Sequence, residues 1–262
     1  MVVALPLSVF LAATVYSPTT CIADLAPVYA AAQAQTGRQL HFEVASLKLA
    51  VDQDVIENRP KRSVGRFRWN TDLLTMLSYA YHLELWRISG KSGLDTIYIL
   101  DATIPPNATQ DQVRLMLEAL LTERFHLQFH RETKVVSEGY SLSVAKGGPK
   151  LPVGKPNSES GEFDDGYVIG PRPVAETMLL RGHNASMLQL AAFLQRHLGT
   201  NVLDRTNLAE RYDFELTCTL DESGPSPDLV GSCIKQAGLV LRKYKGPVEF
   251  LVIDHVGSLV EN

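Results

Sequence analysis

The chain has 262 residues, 45% of them hydrophobic and 21% charged, with a formal net charge of −4. That is enough length for two domains and enough apolar content for real cores. The charge argues against nucleic acid as a main partner, because phosphate binding needs a basic field, and no run of five like charges forms a linear polybasic membrane patch or an acidic tail.

From the start, Val2 to Ser17 is mostly apolar and uncharged. Small residues follow at Cys21-Ile22-Ala23, Val28-Tyr29-Ala30 and Ala32-Gln33-Ala34. Residues 1–34 therefore read as a signal peptide or another N-terminal apolar segment, and the expected location is periplasmic or extracellular. The apolar run is shorter than the roughly 20 residues a membrane span needs, so no span is expected once the signal is removed. The segment lacks a positive start, since the first Lys or Arg is Arg38. A membrane anchor and a buried helix are the alternative readings. Cys21 would leave with the signal, and Cys218 and Cys233 remain as a possible disulfide. Both point into one core, so two buried free thiols are the other reading.

Further along, His41 to Ser46 alternates and predicts a strand, and 49–64 predicts a loop. A short strand is expected at Gly65–Trp69. The spacing of Leu73, Leu77, Ala80 and Leu83 predicts a helix from Asn70 to about Glu84. Trp86–Ile88 and Thr96–Leu100 read as strands around a Gly-Lys-Ser-Gly turn. Thr109 and Gln112 form a capping box ahead of a helix that ends near Arg124. Leu127–Glu132 and Tyr140–Ala145 look like paired strands. Residues 147–173 hold 11 of the 32 Gly and Pro residues, which marks a linker or long loop. Beyond it come a strand at Thr177–Arg181, a helix capped by Ser186 and Gln189 that stops at Gly199, and strands at Val202–Leu203 and Tyr212–Cys218. Asp228 is expected to cap the last helix and Gly238 to end it. Leu239–Arg242 and Glu249–Asp254 close the chain around Gly246-Pro247.

The same order of elements occurs in 70–145 and in 184–256. A shift of 114 positions carries Asn70 onto Asn184, Met76 onto Leu190 and Tyr98 onto Tyr212. The expected fold class is α+β: two tandem, pseudo-repeated lobes, each a small, mostly antiparallel sheet with two helices. The division is 35–146 for the first lobe, 147–173 for the linker and 174–262 for the second lobe.

Little in the chain names a reaction. Ser89-Gly90-Lys91-Ser92 ends like a phosphate-binding loop, but Leu85 stands where the first glycine is required. There is no Gly-x-Ser-x-Gly elbow and no His-Glu-x-x-His, so catalytic residues stay unknown, and neither a metal nor a cofactor is expected. Period two places His126, Gln128 and His130 on one strand face, with the rings about 13 Å apart. That separation is too large for one metal and suits a solvent face or a ligand-contact face. Asp254 and His255 point to opposite faces, so no dyad is expected of them. Trp69, Tyr79, Tyr81 and Trp86 cluster as a core or as a binding platform. Tyr81, Trp86, His126 and His130 are the candidate binding residues.

Several strings resemble a family of exported proteins of unknown function that is abundant in Acidobacteria. They are Phe42-Glu43-Val44-Ala45-Ser46-Leu47-Lys48, Leu120-Leu121-Thr122-Glu123-Arg124-Phe125, His130-Arg131-Glu132-Thr133-Lys134, Arg211-Tyr212-Asp213-Phe214 and Val252-Ile253-Asp254-His255-Val256. The resemblance spans roughly 41–262. It implies export, and some members carry this region attached to a membrane metallopeptidase of the β-lactam-sensor type. The repeating unit also resembles the short N-terminal domain of secretins and TonB-dependent receptors, a protein-contact module. The resemblance carries over no catalytic residue.

The functional expectation is an exported, non-catalytic binding or protein-interaction module. Its partner would be a peptide, a cell-envelope component or another protein. The alternative is a hydrolase of ester or lactone bonds with a site between the lobes.

Overall fold

Asp72 ends a strand and starts a helix: its carboxylate accepts from the Thr75 amide and from the Thr75 hydroxyl, both at 2.8 Å. This cap starts the helix at Leu73 rather than Asn70, and His82 in the left-handed region (φ 51°) ends it. In the computed structural model, the described residues are 40–51, 56–57, 59–90, 93–155, 162–163, 166–170, 177–219 and 226–260. The expected signal segment, 1–34, and Cys21 lie outside them.

The elements in order are β1 (Val44–Leu49), β2 (Lys61–Ser63), β3 (Arg66–Asp72), α1 (Leu73–Tyr81), a 3-10 turn (Leu85–Arg87), β4 (Ile88–Gly90), β5 (Ile97–Thr103), α2 (Gln110–Arg124), β6 (Gln128–Val136) and β7 (Tyr140–Val144). Then follow β8 (Glu162–Phe163), β9 (Tyr167–Ile169), β10 (Thr177–Ala185), α3 (Met187–Leu198), β11 (Val202–Asp204), β12 (Tyr212–Thr219), α4 (Pro227–Ile234), a 3-10 turn (Lys235–Ala237), β13 (Leu239–Lys243) and β14 (Gly246–His255). The fold is α+β with small, mostly antiparallel sheets. Both capping boxes form, Thr109 with Gln112 and Ser186 with Gln189. The last helix is capped by Ser226, not Asp228: Pro227 takes the first helical position, where its missing N–H costs nothing, and Asp228 falls inside the first turn.

Strand pairing departs from the local hairpins expected of the sequence. β6 and β7 do not pair with each other, nor do β13 and β14. Instead β7 lies between β11, to which it is parallel, and β13, to which it is antiparallel. In the same way β14 lies between β4, to which it is parallel, and β6, to which it is antiparallel. The last strand of each half thus completes the three-stranded sheet of the other half. β4 also does not pair with β5, which lies between β1 and β3. A Cβ on Gly90 would sit 2.6 Å from the Ile253 carbonyl oxygen, so the close approach of β4 to β14 requires glycine.

Two buried clusters follow from this exchange. The first gathers Phe67, Trp69, Leu73, Met76, Leu117 and Leu121 with Leu251 and Ile253 of β14. The second gathers Leu180, Leu190, Leu194, Val202 and Ile234 with Leu142 of β7. Each cluster contains side chains from both sides of the 147–173 stretch, and residues 40–262 form one compact unit. A disulfide joins Cys218 of β12 to Cys233 of α4 within the second cluster. No helix among the described residues is long and apolar enough to cross a membrane.

Candidate functional site

The connections β6–β7 and β13–β14 are the segments by which each half hands its last strand to the other. They meet, because the Tyr244 amide donates to the Gly139 carbonyl at 2.8 Å. Beside this crossing opens a cleft of about 590 Å³. Its wall is built from Ser137, Glu138 and Gly139 of one connection, and from Lys243 at the end of β13 with Tyr244 and Lys245 of the other connection. Tyr140, Thr200 and Pro227 complete it. The volume falls in the range of small-molecule sites.

The wall is held in place by specific contacts. Tyr140 pairs with Lys243 across β7 and β13, and its amide donates to the Asn201 carbonyl at 2.8 Å. The Tyr244 hydroxyl donates to the Pro247 carbonyl and accepts from Arg205, each at 2.8 Å. The Arg205 guanidinium also sits 4.3 Å from the centre of the Tyr244 ring. The Tyr244 ring is therefore fixed by a cation–π contact and two hydrogen bonds. Two ammonium groups, one carboxylate and several hydroxyls face the cleft. Among the described residues lining it there is no imidazole or thiol to activate Ser137 or Thr200. Lys243, Lys245 and the hydroxyl-bearing side chains give the lining groups that can pair with or hydrogen-bond a polar ligand of anionic character.

None of Tyr81, Trp86, His126 and His130 lines this cleft; they lie around the sheet β4–β14–β6. Tyr81 stacks edge-on against Phe129 at 5.2 Å, and burial, reinforced by the charge of Glu118, pushes its phenol up to about 12. Trp86 meets Phe250 at 5.6 Å, and its indole N–H donates to the Val202 carbonyl at 3.4 Å. Trp86 therefore links the first half to β11, and its ring stays partly exposed. Trp69 and Tyr79 belong to the first core, 5.3 Å apart.

His126 is not on the strand. It occupies the left-handed region (φ 44°) in the turn between α2 and β6, so the alternation expected with His130 does not hold. His130 pairs with Asp254 at 2.8 Å. Val252 lies opposite His130, so Asp254, two residues on, is its diagonal neighbour on the same face, next to a register shift between Ile253 and His255. Both partners are about half exposed, which makes the pair a surface contact.

A second polar cluster joins the halves. The buried Glu84 accepts from the Asp204 amide at 2.7 Å and from Arg87 at 3.0 Å. Burial raises the Asp204 carboxyl, the two hydrogen bonds from Thr206 oppose the shift, and the Glu84 charge adds to it. On the other flank, Arg211 donates to Gln110 of α2 and to the Asn184 carbonyl. His82 lies near Arg211 and Arg114, and burial together with these two cations pulls its imidazole down to about 3. Sequence reading missed Glu84, His82 and Arg211, because each acts through a partner about 30 to 130 positions away. Among the described residues no group of three or more His, Cys, Asp or Glu side chains could hold a metal ion.

No curated protein and no solved structure matches the chain. A comparison with protein families matches residues 74–256 to DUF3738, described as a protein of unknown function. The matched stretch runs from the first turn of α1 to just past β14, and so contains both exchanged strands. On this match the chain belongs to the DUF3738 family of proteins of unknown function.

Proposed function

We propose that the protein is an exported binding module built from a duplicated unit, and that it takes a small, carboxylate-bearing ligand in the cleft at the strand crossing. A peptide or a cell-envelope fragment has this chemistry. The observation that carries the reading is the cleft itself: Lys243 and Lys245 line it on either side of a fixed Tyr244 in the sequence, with Ser137, Tyr140 and Thr200 also in its lining. The Cys218–Cys233 disulfide and the apolar Val2–Ser17 run support export, since disulfides persist in oxidising compartments. The duplication is supported by the matching order and pairing of β4, β6 and β7 with β11, β13 and β14.

The test is a thermal-shift screen of acidic di- and tripeptides and acidic disaccharides, followed by calorimetry. A ligand of this class should bind, and Lys243→Ala with Lys245→Ala should weaken it at least about tenfold, the size expected for losing a charge-assisted hydrogen bond. Binding that ignores both substitutions would place the ligand elsewhere. Turnover of an ester or lactone, abolished by a single substitution, would replace this reading with the hydrolase.

A further inference from the structure

In the five-stranded sheet β1–β5–β3–β2–β8, β1 is an outer strand and pairs on one side only. One bond fixes the phase of that pairing: the Ala50 amide donates to the Ile97 carbonyl at 3.0 Å, one step past the Leu49–Tyr98 pair. Residues of an antiparallel ladder alternate, so Lys48, Ser46 and Val44 exchange their backbone bonds with β5. The N–H and C=O groups of Ala45, Leu47 and Leu49 therefore face the other way, and no described residue bonds to them. Open edges are commonly guarded by charge. β6, the outer strand of its own sheet, carries Arg131, Glu132 and Lys134, whereas β1 carries only Lys48.

The side chains at 45, 47 and 49 share one face of β1. Leu47 is buried there in the first core, and Ala45 packs against that core. Leu49, further along, is 60% exposed. Beside Ala45 a second cleft, of about 380 Å³, opens between the start of β1 and α2. Met116 and Leu120 give it an apolar wall. Two acids, Glu43 and Glu123, and two basic residues, His41 and Arg124, also line it, so no single sign of charge dominates. Lys48 stands on the other face of the strand.

This edge is complementary to itself. A twofold axis through Leu47 sets Leu47 opposite Leu47 of a second copy, and Ala45 opposite its Leu49. Every outward N–H and C=O of the three residues is then paired; an axis through Ala45 or Leu49 would leave some unmet. Ser46 falls opposite Lys48, so no two lysines stand directly opposite. Each exposed Leu49 comes to lie beside the other copy's Ala45, the smallest side chain on that face, at the cleft walled by Met116 and Leu120. One strand thus carries both the protruding side chain and the hollow that receives it, which favours a second copy over an unrelated strand. We propose that β1 pairs antiparallel with β1 of a second copy, closing a twofold dimer through one continuous sheet.

Sedimentation equilibrium of the full chain over a concentration series tests this. A monomer–dimer equilibrium is expected, with no larger species, because a twofold contact closes on itself. Leu49→Asp should raise the dissociation constant at least about tenfold, since two buried leucines are lost per dimer. Ala45→Pro removes an N–H that β5 does not use, and should have an effect as large without breaking the sheet. Val135→Asp, at a 72% exposed position on β6, should leave the equilibrium unchanged. The register has its own test. Ser46→Cys with Lys48→Cys places thiols opposite each other across the axis, at a Cα separation of about 4.5 Å that a disulfide can span. Mild oxidation should then join the copies, while either single substitution should not exceed the native chain, which carries Cys21. Residues 1–39 are common to every variant, so self-association through them cannot produce the differences. The proposal is overturned by a full chain that stays monomeric at every concentration. It is also overturned if the Leu49→Asp and Ala45→Pro chains, folded by circular dichroism, dimerise as the native chain does, or if the double-cysteine chain cross-links no better than the single variants.

Discussion

A Leu142→Ala chain is expected to lose about 2–5 kcal/mol of stability, and to lose it in the half to which Leu142 does not belong by sequence. Leu142 is fully buried and lies opposite Asp204 of β11 and Leu241 of β13. Its removal leaves a cavity among Leu190, Leu194 and Ile234. Hydrogen exchange should then show lost protection at Val202–Asp204 and Leu239–Lys243, while β1, β3 and β5 keep theirs. Leu251→Ala should do the reverse: it sits in the last strand, yet its damage should appear around buried Trp69. Protection lost only within residues 128–144 after Leu142→Ala would mean that β6 and β7 form a local hairpin, contrary to the exchange.

The second large effect is on pH dependence. His82 titrates near 3 in the folded chain, below its ordinary value of 6.5. A depressed histidine is a liability in acid: the unfolded chain takes up the proton first. Stability should therefore fall as pH drops from about 6.5 toward 3, by about 3 kcal/mol between pH 7 and pH 4 from this group alone. His82→Asn should flatten that slope, because asparagine tolerates the left-handed backbone (φ 51°) that ends α1 but carries no proton. Urea midpoints for both chains across this range give the comparison. Equal slopes, or a His82 ring resonance titrating near 6.5, would remove His82 as the cause. The cations that add to the effect of burial are Arg114 on α2 and Arg211 from the second half.

The contrast between what was legible in the sequence and what was not is one of range. Thr109 with Gln112 and Ser186 with Gln189 were readable because a capping box closes within one turn of helix. Gly199 and Gly238 were readable as stops because the left-handed region favours glycine. Strand partners were not. The alternation in β6 and β7 shows which faces are buried but not which strand lies alongside, and here the neighbours come from β14, β11 and β13. His130 is legible as a strand residue, but its contact with Asp254 requires β14 to lie beside β6, a pairing that alternation does not show. The cleft was illegible for the same reason, since its two walls meet only after the strands cross. Trp86 was visible as an aromatic. That it joins the halves through Val202 was not.

The exchange of last strands is the central structural claim, and cutting the chain between its halves tests it most directly. A specific protease site placed between Lys155 and Glu162 would separate β7 from β10 without touching the Cys218–Cys233 disulfide, which lies wholly in the second fragment. After cleavage under native conditions the two fragments should co-elute from a sizing column and part only in denaturant, because each holds a central strand of the other's sheet. Two folded fragments eluting separately would contradict it.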